Sequence, residues 1–252
     1  MLISIITVVR NGEKTIARCI DSVCSQVDVQ VEYIVIDGAS DDGTLDILNS
    51  CSPMITKLIS EKDEGIYDAM NKGLRLASGD IIGILNSDDV YAHNHVLSSV
   101  QKNFAFLGLD ALYGDLEYFR AELPLKSFRT YRSKGFSPSQ LARGLMPAHP
   151  TLFLHRKVYE EYGLFDPTYK IAGDFEFISR IFKNQKLKAL YVPEIMVRMQ
   201  AGGISTAGFK STKLLLIENL RACKKNGIPS NYFYLLSRYP GKLMEYFFKT
   251  SP

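Results

Sequence analysis

Two periods of apolar residues alternate along the first hundred residues of the chain. Runs of β-branched residues, typical of strands, occupy residues 3–9, 31–36, 57–60 and 81–85. Residues 13–25, 44–49 and 65–78 show helical spacing instead, and the first of these has an apolar face made of Ile16, Cys19, Ile20 and Val23. This alternation of strand and helix predicts an α/β fold with a mostly parallel central sheet and helices on both faces.

The second half of the chain is less regular. Its pattern predicts strands at 111–119, 151–154 and 189–199, a short helix and turn at 159–165, a helix within 172–185, and a basic amphipathic helix at 210–225. We therefore expect a main body of residues 1–200, in halves 1–100 and 101–200. A helical, basic and aromatic extension follows at 201–252.

Polar residues follow three of the predicted strands at the point where each strand ends. These clusters are Arg10-Asn11, Asp37 to Asp41, and Asn86 to Asp89. Ligands of an open α/β sheet bind outside the carboxyl ends of its strands, so we expect the three clusters to face one crevice.

The adjacent acids Asp88 and Asp89 end a strongly apolar strand and have no basic residue beside them. Neighbouring carboxylates repel each other, and a divalent cation relieves that repulsion. The alternative is that Asp88 caps a following helix. The convergence of polar strand ends favours an acidic site that binds a ligand.

Bulk composition limits the classes of protein that need to be considered. The share of hydrophobic residues, 46%, is ample for a packed core, and the four cysteines show no CxxC pair, as expected of reduced thiols in a reducing compartment. The apolar start MLISIITVV lacks a basic region and is too short for a signal peptide or a membrane span. No other stretch reaches spanning length, so we expect a cytoplasmic protein.

Charge is distributed unevenly between the main body and the extension. The whole chain carries +3, but residues 201–252 hold eight basic and two acidic side chains, so this extension is +6 and the body is −3. The extension also carries the aromatic residues Tyr232, Phe233, Tyr234, Tyr239, Tyr246, Phe247 and Phe248. Basic and aromatic residues together are suited to an anionic membrane surface. Packing onto the body and contact with a second copy of the chain remain as alternatives.

Six motifs in order resemble those of bacterial family 2 glycosyltransferases. They are SIITVVRNGEKTIARCIDSVCSQ, EYIVIDGASDDGT, GIYDAMNKGLRLASGD, ILNSDDVY, HPTLFLHRKVYEEYGLFD and AGDFEFISR. The resemblance covers about residues 1–200 and is closest to the subgroup that builds O-antigen, capsule or exopolysaccharide repeat units. It departs from the family at Arg10, where an aromatic residue is usual, and at Asn86, where Asp is frequent.

The resemblance implies the A-type glycosyltransferase (GT-A) fold, with donor binding in residues 1–100 and acceptor binding in residues 101–200. Asp37 would accept a hydrogen bond from a uracil ring, with backbone groups of Thr7 and Val9 nearby. By itself, Asp37 before Gly38 is also a common turn former. The other residues that the resemblance assigns to the nucleotide-sugar donor are Asn11, Asp68, Asn86 and Asp88. For Asp68, contact with the donor or with an Arg is expected, because Asp is unfavourable inside a helix.

The same resemblance implies a DXD-like metal site and a catalytic carboxylate. Asp88 would bind Mn²⁺ or Mg²⁺, with Asp89 as a second ligand or as the residue that orients the first. Asp174 would be the general base, with Glu176 as the reserve candidate, and Asp174 could also serve as a helix cap. One displacement assisted by one base predicts inversion at the anomeric carbon. His149 is expected to contact the diphosphate, the metal or the acceptor.

The reaction expected from this resemblance is transfer of a hexosyl or N-acetylhexosaminyl group from a nucleotide sugar, with a UDP-sugar as the expected donor. The acceptor would be a saccharide, expected to be lipid-diphosphate-linked, at the inner face of the cytoplasmic membrane. A sugar nucleotidyltransferase is disfavoured because Arg10 to Glu13 is not a Gly-rich and basic phosphate loop. A non-catalytic sugar-nucleotide-binding protein would not need both the acid pair and Asp174. No motif indicates nucleic-acid binding.

Overall fold

The structure, a computed structural model, describes residues 1–202 and 209–237. Its centre is a nine-stranded sheet in the order β3-β2-β1-β4-β8-β6-β9-β5, with β7 paired to β6 outside this path. The strands are β1 Ile3–Val9, β2 Val31–Asp37, β3 Lys57–Ser60, β4 Ile81–Ile84, β5 Val90–Tyr91, β6 Ala111–Arg120, β7 Leu123–Tyr131, β8 Phe153–His155 and β9 Ala189–Gln200. The helices are α1 Ile16–Cys24, α2 Thr44–Ser50, α3 Ile66–Leu76, α4 Val96–Leu107, α5 Arg156–Tyr162, α6 Gly173–Phe182, α7 Phe209–Lys225 and α8 Tyr232–Leu236.

The sheet is parallel in its first half and mixed in its second half. Strands β3, β2, β1 and β4 all run in the same direction, as the alternation of strand and helix predicted. Strand β8 then joins antiparallel between β4 and β6, and β7 and β5 pair antiparallel with β6 and β9. Strands β6 and β9 of the second half pair in parallel. The predicted α/β fold is confirmed, and its parallel part is the half that carries the three polar clusters.

Each face of the sheet has its own hydrophobic core. Alternate residues of β1 point to opposite faces, so Ile6 and Val8 pack with α3, α5 and α6, whereas Ile3 and Ile5 pack with α1 and α4. The four residues predicted to form the apolar face of α1 are all buried, namely Ile16, Cys19, Ile20 and Val23. The helices cover both faces of the sheet, as predicted.

Three elements fall where the sequence pattern assigned no structure, and two predicted boundaries are shifted. The unassigned elements are β5, α4 and β7. Strand β7 includes Pro124 and pairs with β6 alone, so its sequence lacks the apolar run of a central strand. Helix α5 begins three residues before the predicted 159–165 segment, because the His155 side chain accepts a hydrogen bond from the Lys157 amide and caps it. Residues 149–151 form a short 3₁₀ turn, so β8 begins at Phe153, two residues after the predicted start of that strand at Thr151.

The buried carboxylate of Glu32 in β2 connects β1, β3 and the residues that follow α3. It accepts hydrogen bonds from the Ser4 hydroxyl at 2.5 Å, the Lys57 ammonium at 2.7 Å and the Ser78 amide at 2.7 Å. Burial alone raises the pKa of Glu32, but the hydrogen bonds from Lys57, Ser4 and Ser78 outweigh it and bring that pKa from 4.5 down to about 2. Glu32 therefore stabilises the fold as an ion.

Replacing Glu32 with Gln is expected to lower the free energy of unfolding at pH 7 by on the order of 3 kcal/mol, the equivalent of this pKa difference. Because the pKa is lower in the folded state, the stabilisation is present above about pH 4.5 and is lost as the pH falls toward 2. Urea denaturation at several pH values measures this difference. The control is Glu61→Gln, which removes an exposed partner of Lys72 and should cost about 0–1 kcal/mol. Equal losses in the two variants would contradict the prediction.

Candidate active site

Asp37 lies at the carboxyl end of β2 and is fully buried. Its carboxylate accepts hydrogen bonds from the Ser40 amide at 3.1 Å, the Ser40 hydroxyl at 2.5 Å and the Ser60 hydroxyl at 2.6 Å. These neutral donors hold the side chain in one orientation without cancelling its charge. The carboxylate is thus a fixed acceptor at the end of the parallel strands.

The loop after Asp37 is held against the end of β1 by Asn11. Asn11 has a positive φ of 54°, which Asn tolerates better than most residues. Its backbone amide donates a hydrogen bond to the Ser40 hydroxyl at 2.8 Å, and its side-chain oxygen accepts one from the backbone amide of Asp41 at 3.0 Å. At Gly38 a β-carbon would lie 2.3 Å from a carboxylate oxygen of Asp63, so the glycine lets that second acid approach the loop closely. Two of the predicted polar clusters therefore meet, and Asp63 joins them.

Thr7 and Val9 provide the strand beneath this loop. The Thr7 hydroxyl is buried and accepts a hydrogen bond from the Tyr33 hydroxyl at 3.2 Å. The Val9 carbonyl accepts from the Gly38 amide at 2.8 Å. Both groups are thus engaged within the protein, which makes them supports for Asp37. The proposed contact of their backbone groups with the donor remains a prediction.

Asp68 lies in the first turn of α3, where a negative charge is favourable. Its carboxylate accepts from the Glu64 amide at 3.2 Å and lies 3.7 Å from the Lys72 ammonium. The cationic neighbour is thus a Lys four residues along the helix, where an Arg or the donor was expected. These contacts explain the Asp inside a helical segment without a ligand.

Asn86 to Asp89 form a loop between β4 and β5. Asp89 is fully buried, and its Oδ1 accepts a hydrogen bond from the Gln200 amide at 3.1 Å. The Arg18 guanidinium donates to the Asp88 carbonyl at 3.3 Å and to the Gln200 side chain at 2.9 Å. Asp88 does not cap a helix, because the next residues form strand β5. The arrangement makes Asp89 the internal support and leaves Asp88 as the more exposed carboxylate.

The acid pair is costly to keep charged. Burial raises the pKa of Asp88, although the nearby charges of Arg18 and His149 act in the opposite direction. Burial, reinforced by the charge of Asp88, raises the pKa of Asp89 well above its usual range. A bound cation would favour the charged form of both groups.

Whether these residues fit a divalent cation can be judged from their oxygen atoms. In residues 1–202 and 209–237, no three His, Cys, Asp or Glu side chains form a complete set of metal ligands. In the same part of the chain, Oδ2 of Asp89 and Oδ1 of Asn86 are buried without a hydrogen-bond partner. Mg²⁺ is commonly held by one or two carboxylates together with substrate phosphates. The loop thus fits a cation whose coordination a diphosphate would complete.

Asp174 is the second residue of α6 and is grouped with His149 and Tyr67. Its Oδ2 lies 3.3 Å from Nδ1 of His149, and its Oδ1 accepts from the Phe175 amide at 2.7 Å and lies 3.4 Å from the Tyr67 hydroxyl. The cap position of α6 is Ala172, so Asp174 does not take the capping role that its sequence position allowed. Burial, followed by the charge of Asp174, raises the pKa of Tyr67, and its hydroxyl stays a donor.

Glu176, the reserve candidate for the base, has a different environment. It is fully buried and accepts hydrogen bonds from Arg180 at 2.8 Å and from Asn226 at 3.2 Å, with the Lys225 ammonium at 3.2 Å. The structure therefore places Glu176 in an internal ion-pair network. Its role as the reserve base stays a prediction.

Two cavities border these residues. A small one of about 30 Å³ lies against His149 and Asp174, and its other lining residues are apolar: Met70, Ile84, Leu152, Tyr159, Phe165, Phe177 and Ile178. A polar cleft of about 560 Å³ borders the loop between β1 and α1, with Asn11, Gly12, Glu13, Lys14, Thr15, Arg18, Asp42, Ala121 and Gln200 as its lining residues. Both cavities adjoin residues that the sequence motifs singled out.

Four residues that sequence reasoning did not single out belong to this region: Arg18, Asp63, Tyr67 and Gln200. Tyr67 lies in the motif GIYDAMNKG, but a tyrosine in a helix is usually a core residue. A β-carbon at Gly173 would lie 2.7 Å from the Tyr67 ring, so the glycine lets the ring approach the start of α6, a contact that only the fold reveals. Arg18 and Gln200 are 182 positions apart in sequence, so no local pattern could join them.

The described part of the C-terminal extension packs on the body and also exposes aromatic residues. Ala222 and Cys223 of α7 belong to the core that contains α3 and α6. In α8, Leu235 is buried, whereas Tyr232, Phe233 and Tyr234 are exposed. Tyr239, Tyr246, Phe247 and Phe248 lie outside the described residues. Among the residues described, no helix combines the length and the apolar character needed to cross a membrane.

Comparisons with known proteins point to one family. A PGL/p-HBAD biosynthesis glycosyltransferase of Mycobacterium bovis is 28% identical over 212 residues, which are 81% of this chain and 79% of that protein. An uncharacterized glycosyltransferase of Mycobacterium tuberculosis is 31% identical over 189 residues, with 71% of this chain and 68% of that protein covered.

Solved structures agree on the fold. The structure of S. aureus TarS 1-349 in complex with UDP-GlcNAc matches with a TM-score of 0.69 at 17% identity, over 86% of this chain and 66% of that one. The chain therefore spans slightly less than two thirds of that TarS chain. The mannosyltransferase PcManGT from Pyrobaculum calidifontis, in complex with GDP-Man and Mn²⁺, matches with a TM-score of 0.61 at 18% identity, over 96% and 80%. These matches confirm the GT-A-like fold.

The family itself follows from the sequence. The profile described as Glycosyl transferase family 2 matches residues 4–163, which is more than half of the chain. This span contains the polar strand ends at Asn11, Asp37 and Asp88 and also His149. The chain belongs to glycosyl transferase family 2.

Proposed function

We propose that this glycosyltransferase is a metal-dependent, inverting enzyme that transfers a hexosyl or N-acetylhexosaminyl group from a UDP-sugar to a saccharide. The observation that carries the proposal is the position of His149. It lies 3.3 Å from Asp174, the candidate base, and it is near enough to Asp88 to oppose the rise in the pKa of Asp88 that burial causes. The two carboxylates that we propose to bind the cation and to accept the proton are therefore both neighbours of one histidine.

The residues divide the reaction among them. Asp37 would accept a hydrogen bond from the base of the nucleotide, and Asp88, supported by Asp89, would hold the diphosphate end through the cation. The cation, Mn²⁺ or Mg²⁺, would neutralise the charge that develops on the departing diphosphate. Asp174 would take the proton of the acceptor hydroxyl. The oxygen of that hydroxyl would then bond to the anomeric carbon as the bond from this carbon to the diphosphate breaks. Displacement from the opposite face inverts that carbon.

His149 would help both parts of the reaction. Its Nδ1 faces the Asp174 carboxylate and can hold that side chain toward the acceptor, while its other ring nitrogen can donate to a diphosphate oxygen. We also retain Asn11 and Asn86 as residues that bind the donor. Asn86 would hydrogen-bond a ribose hydroxyl or a metal-bound water. This assignment divides the chain into a catalytic domain of residues 1–200 and an extension of residues 201–252.

For the acceptor we propose a lipid-diphosphate-linked saccharide of bacterial surface polysaccharide synthesis, such as O-antigen or capsule. The support is the +6 charge of residues 201–252 together with the exposed Tyr232, Phe233 and Tyr234 of α8. Aromatic side chains favour the headgroup region, and each basic residue near anionic lipid contributes about 1 kcal/mol. The enzyme would then act as a peripheral protein on the inner face of the cytoplasmic membrane.

A screen of nucleotide sugars tests the donor. With Mn²⁺ present, a UDP-sugar is expected to be bound and slowly hydrolysed, and Asp37→Asn should weaken its binding by about 1–3 kcal/mol, because a carboxylate acceptor is lost. Asp46→Asn, which changes an exposed carboxylate at the start of α2, is the matched control. Equal binding of UDP-, GDP- and CDP-sugars by wild type and by Asp37→Asn would contradict the assignment.

The same assay separates the acceptor classes. Transfer is measured to a water-soluble saccharide and to a lipid-diphosphate-linked saccharide in anionic vesicles, with sedimentation of the enzyme as a second reading. We expect transfer to the lipid-linked form and sedimentation that decreases with salt. The variant Phe233→Ser should sediment less. Transfer to the soluble saccharide alone, without sedimentation, would contradict the lipid-linked acceptor.

A further inference from the structure

A buried carboxylate in the C-terminal extension contacts the segment that leads into the candidate base. Glu218 of α7 is 4% exposed. Its two oxygens accept hydrogen bonds from three consecutive backbone amides, those of Lys170, Ile171 and Ala172, each at 2.9 Å. Three amides that converge on one carboxylate hold the backbone of residues 170–172 in a single conformation.

This segment ends two residues before Asp174. Ala172 is the cap residue of α6 and offers no side-chain hydrogen bond to the helix. Glu218 holds the amide of this cap residue from another element, beside the two acids that α6 has in its own first turn. The Ile171 carbonyl accepts the hydroxyl of Tyr67 at 2.7 Å, and the same hydroxyl lies 3.4 Å from Asp174. Glu218 and Tyr67 therefore fix the two sides of the peptide that positions the base.

Other residues of α7 hold the preceding part of the loop. The Arg221 guanidinium lies 4.4 Å from the centre of the Tyr169 ring and donates to the Thr168 hydroxyl at 2.6 Å. The Lys225 ammonium contacts Asp166 at 2.8 Å. These contacts are exposed, so we expect each to contribute less than the buried Glu218. The whole of residues 166–172 is nevertheless supported by one helix.

Mere packing of α7 on the body does not explain a carboxylate at this position. A packing role is met by an apolar residue such as Cys223, which is fully buried on the same helix. A buried carboxylate is costly unless its charge is satisfied, and Glu218 is satisfied by the amides of one loop. Its chemistry is thus directed at the conformation of that loop.

We infer that Glu218 is a positioning residue for the transfer reaction, and that α7 completes the active site by holding Asp174 in place. The inference rests on the proposed role of Asp174 as the base. It implies that the extension at residues 209–226 is part of the catalytic unit. A displacement of the base by about 1 Å can reduce turnover by about 10²-fold, so such a support has a large effect on rate.

The test compares Glu218→Gln and Glu218→Ala with Cys223→Ala, a buried substitution on the same helix. Transfer is measured with a UDP-sugar and Mn²⁺, and hydrogen exchange is followed at the amides of residues 166–175. We expect kcat to fall by about 10-fold or more in Glu218→Ala and by less in Glu218→Gln, which retains one acceptor oxygen. The KM for the donor should stay within about 2-fold. The amides of residues 170–172 should exchange faster in both variants, and Cys223→Ala should keep wild-type kcat.

Several outcomes would overturn the inference. Unchanged exchange at residues 170–172 in Glu218→Gln would show that the carboxylate does not hold the loop. Faster exchange with wild-type kcat would show that the loop does not position the base. Equal losses of kcat in Cys223→Ala and in the Glu218 variants would show that the lower kcat results from a loss of protein stability. Full activity of the separate variant Asp174→Asn would instead refute the proposed role of Asp174 as the base, so the two failures can be told apart.

Discussion

Replacing Asp174 with Asn is expected to leave donor binding intact and to reduce sugar transfer by about 10²–10⁴-fold. Asn has nearly the same shape, and its side-chain oxygen can still accept the hydrogen bond from the Phe175 amide. The substitution removes the proton affinity that a general base needs. Calorimetric titration with the UDP-sugar and Mn²⁺ measures binding, and transfer to a saccharide acceptor measures the reaction.

Glu176→Gln is the control for Asp174→Asn, because Glu176 lies two residues further along the same helix. Its loss breaks contacts with Arg180 and Lys225, so we expect lower stability and a rate per folded molecule close to that of the wild type. A dead Glu176→Gln variant beside an active Asp174→Asn variant would exchange the two roles. A loss of donor binding in Asp174→Asn would show that the residue belongs to the donor site.

Replacing Asp88 with Ala is expected to abolish cation-dependent donor binding and to reduce turnover by about 10²-fold or more, because the charge of the departing diphosphate is no longer neutralised. Asp88 is the more exposed acid of the pair, and its pKa is raised by burial, which a bound cation would reverse. The protein should stay folded, since no hydrogen bond of the core depends on this side chain among the described residues.

The measurement for Asp88→Ala is a titration with Mn²⁺ in the presence of UDP, followed by binding and by turnover. Asp46→Ala removes an exposed carboxylate of α2 and should behave as wild type. Full turnover of the wild-type enzyme in excess EDTA would exclude a required metal. A cation affinity of Asp88→Ala equal to that of the wild type would move the metal to other ligands.

The sequence by itself determined the main elements of residues 1–84, from β1 to β4. The period of apolar residues depends on which face of one helix or strand is buried, and this information is local. The apolar face of α1 and the strands β1 to β4 could therefore be predicted. The carboxyl ends of parallel strands meet at one edge of the sheet, so the sequence also predicts that Asn11, Asp37 and Asp88 lie in one region.

Side-chain partners distant in the sequence were decided by the tertiary structure alone. Glu176 and Asp174 are both acids in the first turn of α6, and nothing local separates them. The fold brings Lys225 and Asn226 to Glu176, and it brings His149 to Asp174. The two carboxylates therefore have different surroundings. The strand order of the second half is of the same kind, because β8 enters between β4 and β6 through pairings with no local signature.

Glu218 shows this limit most clearly. In sequence it is one acid in a basic amphipathic helix, and a charged residue there is expected on the solvent side. The folded chain buries it against three amides that lie 46–48 positions earlier. The local sequence pattern predicts which face of its own helix or strand a residue lies on. Its burial and its hydrogen bonds depend on which elements pack together. The sequence determined the family and the strands at whose ends the candidate donor residues lie, and packing decided the different surroundings of Asp174 and Glu176 and the burial of Glu218.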